Sequence, residues 1–313
     1  MVRAWPGGWP APPFPRTIGG RFAMLVLFLC RNSLPRGWFR FFVPLGAVEL
    51  ACILLLALYL SGTPSPGQQG PGEVTSASDV RAAPAIAPRP VDHPESLPES
   101  TTYATIPNAP TDVNESDSPN GTVVHPHRPV PVYQAPGAPP FAMLPVKQIS
   151  SDTWVPVAAE ENGWIQVLLP SRPNGSVGWL STQDSSLTAA RTPYRVEVNR
   201  TAFRMTLIRD TTTVAAWTVG VGKDAAPTPS GRTFVMASLA DANQTYSPVI
   251  LPLGIHSTSH ETFGGGPGTT GIHTWPDPRV FGTRSSDGCI RVPAEALYRL
   301  AAEVPLGTPV LIH

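Results

Sequence analysis

The sequence contains few charged residues, and lysine is the rarest of them. Its 313 residues carry 22 basic and 22 acidic side chains, so the formal net charge is zero. After residue 140 the only lysines are Lys147 and Lys223. Binding to nucleic acid relies on clustered Lys and Arg that neutralise phosphates. The composition therefore gives no reason to expect a nucleic-acid partner.

Cysteine is also scarce, with three in the chain. Cys30 and Cys52 fall in or beside an apolar N-terminal region, so the half of the chain expected to fold contains Cys289 alone. An internal disulfide in that half is excluded. A single thiol is either a small buried hydrophobe or a reactive group, and composition leaves both readings open.

One long apolar run, residues 41–62, interrupts the basic N-terminal region, and Glu49 is its only charge. About 20 apolar residues suffice to cross a bilayer as a helix. No acid precedes the run, and its basic flank holds Arg3, Arg16, Arg21, Arg31, Arg36 and Arg40. The positive-inside rule then predicts a cytoplasmic segment 1–40, a transmembrane helix 41–62 and an extracytoplasmic remainder. A cleaved signal peptide is the alternative, and Met24 is an alternative start.

Proline is abundant, with 39 residues in the chain against a usual share of roughly 5%, and 24 of them precede residue 141. Residues 63–140 show no lasting period and little apolar content, which predicts a Pro-rich disordered linker. From 141 to 190, short alternating runs separated by turn signals such as RPNGS predict a small β-barrel. Its tryptophans and that turn resemble bacterial Src-homology-3-like domains.

A second β-rich unit is predicted from residue 193 to 313. Alternating runs begin at Tyr194, and Asp210 with Thr211 is typical of a hairpin tip. One helix is predicted over 293–304, because Pro293 suits a first helical position and the apolar residues that follow recur at helical spacing. The fold class is therefore mainly β, a sandwich or barrel with one main helix.

The stretch GIHTWPDPRVFGTRSSDGCIRVP, residues 271–293, combines a histidine with a cysteine sixteen residues later. A thiol with an ordinary pKa of about 8.5 is mostly protonated at pH 7, so a nucleophilic cysteine needs a base or a cation nearby. His273 at a strand end could be that base for Cys289. Thr274 could orient the imidazole through its hydroxyl or carbonyl, and Gly288 could turn the backbone toward a developing oxyanion.

These motifs resemble the L,D-transpeptidase catalytic domain. The likeness rests on Ile272-His273-Thr274, on Ser286-Asp287-Gly288-Cys289-Ile290-Arg291, on the glycine-rich stretch 219–235 and on the closing GTPVLIH. The resemblance implies a peptidoglycan enzyme without a cofactor. Cys289 would attack the third residue of a stem peptide, release D-Ala, and pass the acyl group to an amine of another stem.

The resemblance also implies roles for individual residues. Asp287, Gly288 and Ser286 would frame the oxyanion, while Arg291, His256 and Tyr246 are candidates for substrate binding. The family usually has histidine where this chain has Asp287, and Arg291 or solvent is the expected partner of that carboxylate. An inactive wall-binding protein and an L,D-carboxypeptidase remain alternatives.

No metal site is predicted. His256 and His260 are four residues apart, and with His273 and Cys289 they could be drawn as a zinc site. They lie, however, in a glycine-flanked loop region rather than on a clear helix. The substrate cleft or the surface is therefore the expected place for the two loop histidines.

Overall fold

The computed structural model of the protein describes residues 3–4, 85–240, 245–263 and 265–313. The predicted membrane span 41–62 lies outside these residues. Within the part of the chain described, no helix is both long and apolar enough to cross a membrane. Residues 85–313 belong to one compact unit.

The N-terminal half of this unit is a β domain. Its sheet has seven antiparallel strands in the order β10-β2-β7-β8-β9-β3-β4, and β5 and β6 form a separate short hairpin. The strands are β2 (Thr122–Pro126), β3 (Val130–Tyr133), β4 (Pro140–Leu144), β5 (Lys147–Gln148), β6 (Ser151–Asp152), β7 (Val155–Glu161), β8 (Trp164–Leu168), β9 (Val177–Ser181) and β10 (Leu187–Arg191). Whether this domain is Src-homology-3-like stays a prediction.

The boundary predicted at residue 141 is wrong, because β2 and β3 lie inside the predicted linker and pair on both sides with later strands. Val124, Val130 and Val132 are buried in the same core as the strands that follow. Two short apolar runs thus supply core strands that the Pro-rich composition of the whole segment concealed. A 3-10 turn, Pro94–Ser96, precedes them.

Residues 99–112, here called the strap, cross this β domain before its first strand. Isolated bridges join the strap to the domain at Glu99 with Met143, and at Thr105 with Arg172. Ile106 of the strap is 1% exposed and belongs to the core of the β domain. The strap is therefore an integral part of the folded unit.

The C-terminal half has two five-stranded sheets. One has the order β13-β12-β11-β21-β15, and the other has the order β1-β16-β17-β18-β20. The strands are β1 (Arg3–Ala4), β11 (Tyr194–Asn199), β12 (Arg204–Arg209), β13 (Thr212–Thr218), β14 (Val221–Gly222), β15 (Gly231–Phe234), β16 (Leu239–Ala240), β17 (Ile250–His256), β18 (Thr269–His273), β19 (Arg284–Ser286), β20 (Ile290–Arg291) and β21 (Pro309–Ile312). A further pair, β14 with β19, is parallel, and a 3-10 turn covers Pro278–Val280.

One apolar core joins these two sheets and a helix. It contains Val196 and Leu207 of the first sheet, Leu253 and Ile272 of the second, and Leu297 of the helix. The helix, α1, spans Ala294–Glu303 with Pro293 as its N-cap, and Asp210 has a positive φ at the β12–β13 hairpin. The predicted mainly β fold with one main helix is therefore confirmed for the described residues.

A buried ion pair links the strap to the C-terminal half. Arg232 on β15 donates from Nε and from Nη2 to the two carboxylate oxygens of Asp112, both at 2.7 Å. The side chains are 2% and 1% exposed. Beside this pair, Phe234 and Met236 of the C-terminal half pack into the core of the β domain. The two halves therefore share both a charge pair and a core.

Removing the Arg232 charge should destabilise the protein strongly. Arg232→Met leaves the Asp112 carboxylate buried without its partner, and losing one member of a buried pair typically costs about 3–5 kcal/mol. The double variant Arg232→Met with Asp112→Leu should recover much of that loss. Arg279→Met, which breaks an ion pair on the surface, should change stability little. Urea unfolding of all four proteins measures the effect, and an Arg232→Met protein as stable as Arg279→Met would contradict it.

Candidate active site

Parallel pairing of β18 with β20 brings the histidine and the cysteine together. Ile272 pairs with Ile290 and His273 with Arg291, which puts Gly271 opposite Cys289. Alternate residues of neighbouring strands share a face, and the strand spacings give a Cα separation of roughly 8 Å between Cys289 and His273. Gly271 also makes a backbone hydrogen bond with the thiol. The thiol and the imidazole therefore share one face of one strand pair, and Gly271, opposite Cys289, has no side chain to crowd the thiol.

The His273 ring is held by its neighbours. Its Nδ1 lies 2.7 Å from the carbonyl of Thr274, so Nδ1–H donates and Nε2 carries the free lone pair. Tyr246 packs against the ring at 5.1 Å between centroids. Burial lowers the pKa of His273 to about 4, and the nearby Arg291 charge also lowers it. The imidazole is thus unprotonated at neutral pH and able to accept a proton.

Cys289 is a free thiol that is neither fully exposed nor fully buried as a residue. Burial raises the pKa of its thiol, and the Asp287 carboxylate raises it further, while the Gly271 hydrogen bond and the Arg291 charge lower it. The resting pair is therefore a neutral thiol beside a neutral imidazole. Proton transfer to His273 must accompany the attack of the sulfur on a substrate.

Ser286 and Gly288 shape the turn that presents the thiol. The Ser286 hydroxyl donates to the Cys289 carbonyl at 2.6 Å and accepts from the Gly288 amide at 3.2 Å. Gly288 has φ +116°, a backbone conformation that side chains disfavour, although a Cβ there would find ordinary contacts. Because the Gly288 amide is engaged by Ser286, the amides of Asp287 and Cys289 are the better candidates for an oxyanion.

The Asp287 carboxylate pairs with a residue that the motif did not indicate. Lys223 Nζ lies 2.6 Å from Asp287 Oδ1, and His260 Nε2 lies 3.9 Å from the same oxygen. The hydrogen bond and charge of Lys223 are the main reasons that the pKa of Asp287 is lowered. The expectation that Arg291 is its partner is therefore wrong. Arg291 instead lies 3.9 Å above the Trp275 ring.

Strand pairing explains why Lys223 reaches the motif. β14 runs parallel to β19, and the Lys223 amide donates to the Ser286 carbonyl at 2.9 Å. Sequence reasoning missed this contact, since Lys223 and Asp287 are far apart in the chain. The only feature of the sequence that drew attention to Lys223 was the scarcity of lysine.

His256 does not line the cleft, which corrects its expected role in substrate binding. Its side chain is 0% exposed, and Nε2 lies 2.8 Å from the carbonyl of Thr102 in the strap. Burial lowers its pKa to about 4. His256 therefore ties β17 to the strap. Among the residues that the structure describes, no group of three or more His, Cys, Asp and Glu could hold a metal.

Comparison with known proteins shows which family part of this chain is similar to. Residues 193–312 match the YkuD family, the L,D-transpeptidase catalytic domain. The putative L,D-transpeptidase YkuD of Bacillus subtilis (strain 168) is 26% identical over 175 residues, covering 55% of this chain and 99% of that protein.

Solved structures of the same family are also similar to this chain. The catalytic domain of an L,D-transpeptidase from E. faecium is 26% identical, covering 38% of this chain and 96% of that chain, with a TM-score of 0.31. An L,D-transpeptidase from Mycobacterium smegmatis is 13% identical, covering 48% and 90%, with a TM-score of 0.32. The resemblance predicted from the motifs is confirmed by the family match.

Asp287 and His273 should differ greatly in their contribution to the acylation of Cys289. Asp287→Asn should change the rate of Cys289 acylation by a carbapenem by less than about tenfold, since about 1.4 kcal/mol of barrier corresponds to that factor. His273→Ala should lower the rate by about 10²–10⁴-fold, the usual contribution of a general base. Mass spectrometry against time, at several pH values, measures both rates. Equal losses in the two variants would show that the carboxylate itself takes part in catalysis.

Proposed function

We propose that this chain, whose residues 193–312 match the L,D-transpeptidase catalytic domain family, acts on peptidoglycan stem peptides through a Cys289 thioester. The observation that carries the proposal is the register of β18 and β20, which sets Cys289 beside a neutral His273. The hydrogen bond from Nδ1 to Thr274 leaves Nε2 as the proton acceptor. Such a pair suits acyl transfer without a cofactor.

The first half of the reaction forms the acyl-enzyme. The Cys289 sulfur attacks the carbonyl carbon of the third stem residue while its proton moves to His273 Nε2. The oxygen of the tetrahedral intermediate takes the negative charge, which backbone amides of Asp287 and Cys289 stabilise. His273 then returns the proton to the departing nitrogen, D-Ala leaves as an amine, and a thioester remains on Cys289.

The second half transfers the acyl group. The side-chain amine of another stem attacks the thioester carbon and gives a proton to His273, and the sulfur leaves. The product is a cross-link between two third residues. If water attacks instead, the enzyme is an L,D-carboxypeptidase, and an inactive wall-binding protein would form no thioester at all. The presence of both members of the thiol–imidazole pair favours an enzyme over the inactive protein, and the acceptor decides between transpeptidase and carboxypeptidase.

Replacing the nucleophile should abolish the chemistry and spare the fold. Cys289→Ala should release no D-Ala from a tetrapeptide stem, whereas Ser285→Ala, which removes an exposed hydroxyl of β19, should retain most activity. Analysis of D-Ala and of dimeric stems by chromatography and mass spectrometry separates cross-linking from hydrolysis. Undiminished D-Ala release by Cys289→Ala would overturn the cysteine mechanism.

We also propose that residues 41–62 anchor the enzyme in the cell membrane, with the catalytic domain on the wall side. The arginine bias before the run supports this topology. Anchoring would put residues 1–40 and the catalytic domain on opposite sides of the bilayer. The pairing of Arg3–Ala4 with β16 requires both to lie on one side, so the anchored protein must lack that pairing.

Fusion of alkaline phosphatase to the C-terminus should give an active phosphatase, and the protein should pellet with membranes at its full mass. Placing arginine at both Leu55 and Leu56 should reduce pelleting, because each Arg at a helix centre costs about 2.5–3.5 kcal/mol of insertion free energy. A mature N-terminus near residue 63 would instead establish a cleaved signal peptide.

A further inference from the structure

A large groove lies outside the thiol–imidazole pair. It runs between the strap, the turn at Arg172–Asn174 and the segment 257–262, here called the cleft loop, and its volume is about 1170 Å³. Pockets for small ligands usually measure about 300–1,000 Å³. The groove is therefore large enough for an extended chain.

Residues of the β domain line one side of this groove and form hydrogen bonds with the other side. Arg172 donates to the Pro267 carbonyl at 2.7 Å and to the Glu261 carbonyl at 3.4 Å. Asn174 exchanges two hydrogen bonds with the His256 backbone, at 2.7 and 2.9 Å. The cleft loop is thus fixed by side chains from outside the catalytic domain, which preorganises the groove.

The cleft loop also forms part of the active site. A Cβ built on Gly288 would lie 3.8 Å from Ser257 Oγ, and His260 Nε2 lies 3.9 Å from the Asp287 carboxylate. Ser257 and His260 both line the groove. A substrate bound at Cys289 and longer than that site therefore continues past these two residues into the groove.

The lining of the groove is suited to an uncharged, hydroxyl-rich ligand. Tyr103 is 66% exposed and offers a flat apolar ring with a polar end. Several hydroxyls accompany it: Thr105, Thr258, Ser259 and Thr262. The guanidinium of Arg172 is directed to loop carbonyls, and Glu261 would repel an anion. Stem peptides carry free carboxylates, so this lining disfavours them.

We propose that this groove binds the neutral saccharide strand of the substrate, with Tyr103 as the stacking platform. The inference rests on the proposed function, because the strand reaches the groove as part of the molecule held at Cys289. The β domain then acts as the part of the enzyme that places the glycan while the catalytic domain reacts with the attached peptide.

Titration of the whole Cys289→Ala protein with an oligosaccharide of β-1,4-linked N-acetylglucosamine tests the proposal. Calorimetry should show binding that Tyr103→Ala weakens by at least about tenfold, equivalent to about 1.4 kcal/mol. Tyr103→Phe should keep most of the affinity. Tyr298 on α1 is also exposed, at 55%, and does not line the groove, so Tyr298→Ala is the matched control and should bind as before.

Two results would overturn the proposal: no binding of the oligosaccharide, or equal binding by the Tyr103→Ala and Tyr298→Ala proteins. Binding of a free stem tetrapeptide that Tyr103→Ala weakens would assign the groove to the peptide instead, and would also overturn it. Carbapenem acylation of Cys289 in the control Tyr298→Ala should match that of the unaltered protein. Failure of the unaltered protein to acylate would refute the proposed function and leave the titration result intact.

Discussion

The short parallel ladder between β18 and β20 is the constraint on which the candidate site depends. Its register decides that residues sixteen apart in the chain, His273 and Cys289, share a face. Every other feature of the site acts on that pair. The Thr274 carbonyl accepts from Nδ1 of His273, which leaves Nε2 free, and the Ser286 hydroxyl donates to the Cys289 carbonyl. Burial keeps both the imidazole and the thiol uncharged. The pair is therefore a neutral thiol and a neutral imidazole instead of a preformed ion pair.

The handling of Asp287 illustrates how a fold accommodates a charge beside a nucleophile. A carboxylate near a thiol disfavours the thiolate, and within the motif only the Arg291 charge acts on Asp287, without an ion pair. The pairing of β14 with β19 delivers Lys223 to within 2.6 Å of the carboxylate. The cation beside Asp287 is thus Lys223, which directly follows β14 and lies more than sixty residues earlier in the chain. Arg291 instead stacks on Trp275, where its charge still lowers the pKa of both His273 and Cys289.

Local patterns in the sequence were sufficient for some of these features and not for others. The helix after Pro293, the hairpin at Asp210 and the thiol–imidazole motif depend on neighbouring residues or on a short loop, so periodicity and spacing predicted them. Strands β2 and β3 escaped prediction because prolines surround their short apolar runs. Lys223 and the burial of His256 depend on contacts between distant segments, and no local pattern encodes these.

The strap links the folding of the two halves, because its buried Asp112 pairs with Arg232 of the C-terminal half. It is synthesised before either domain, yet its buried Asp112 meets Arg232 only after 120 further residues have left the ribosome. Until then the early β domain carries an uncompensated charge and lacks Phe234 and Met236 from its core. Domains usually mature in order from the N-terminus. Here the core of the first domain is incomplete without residues of the second, so the two halves complete their folding together.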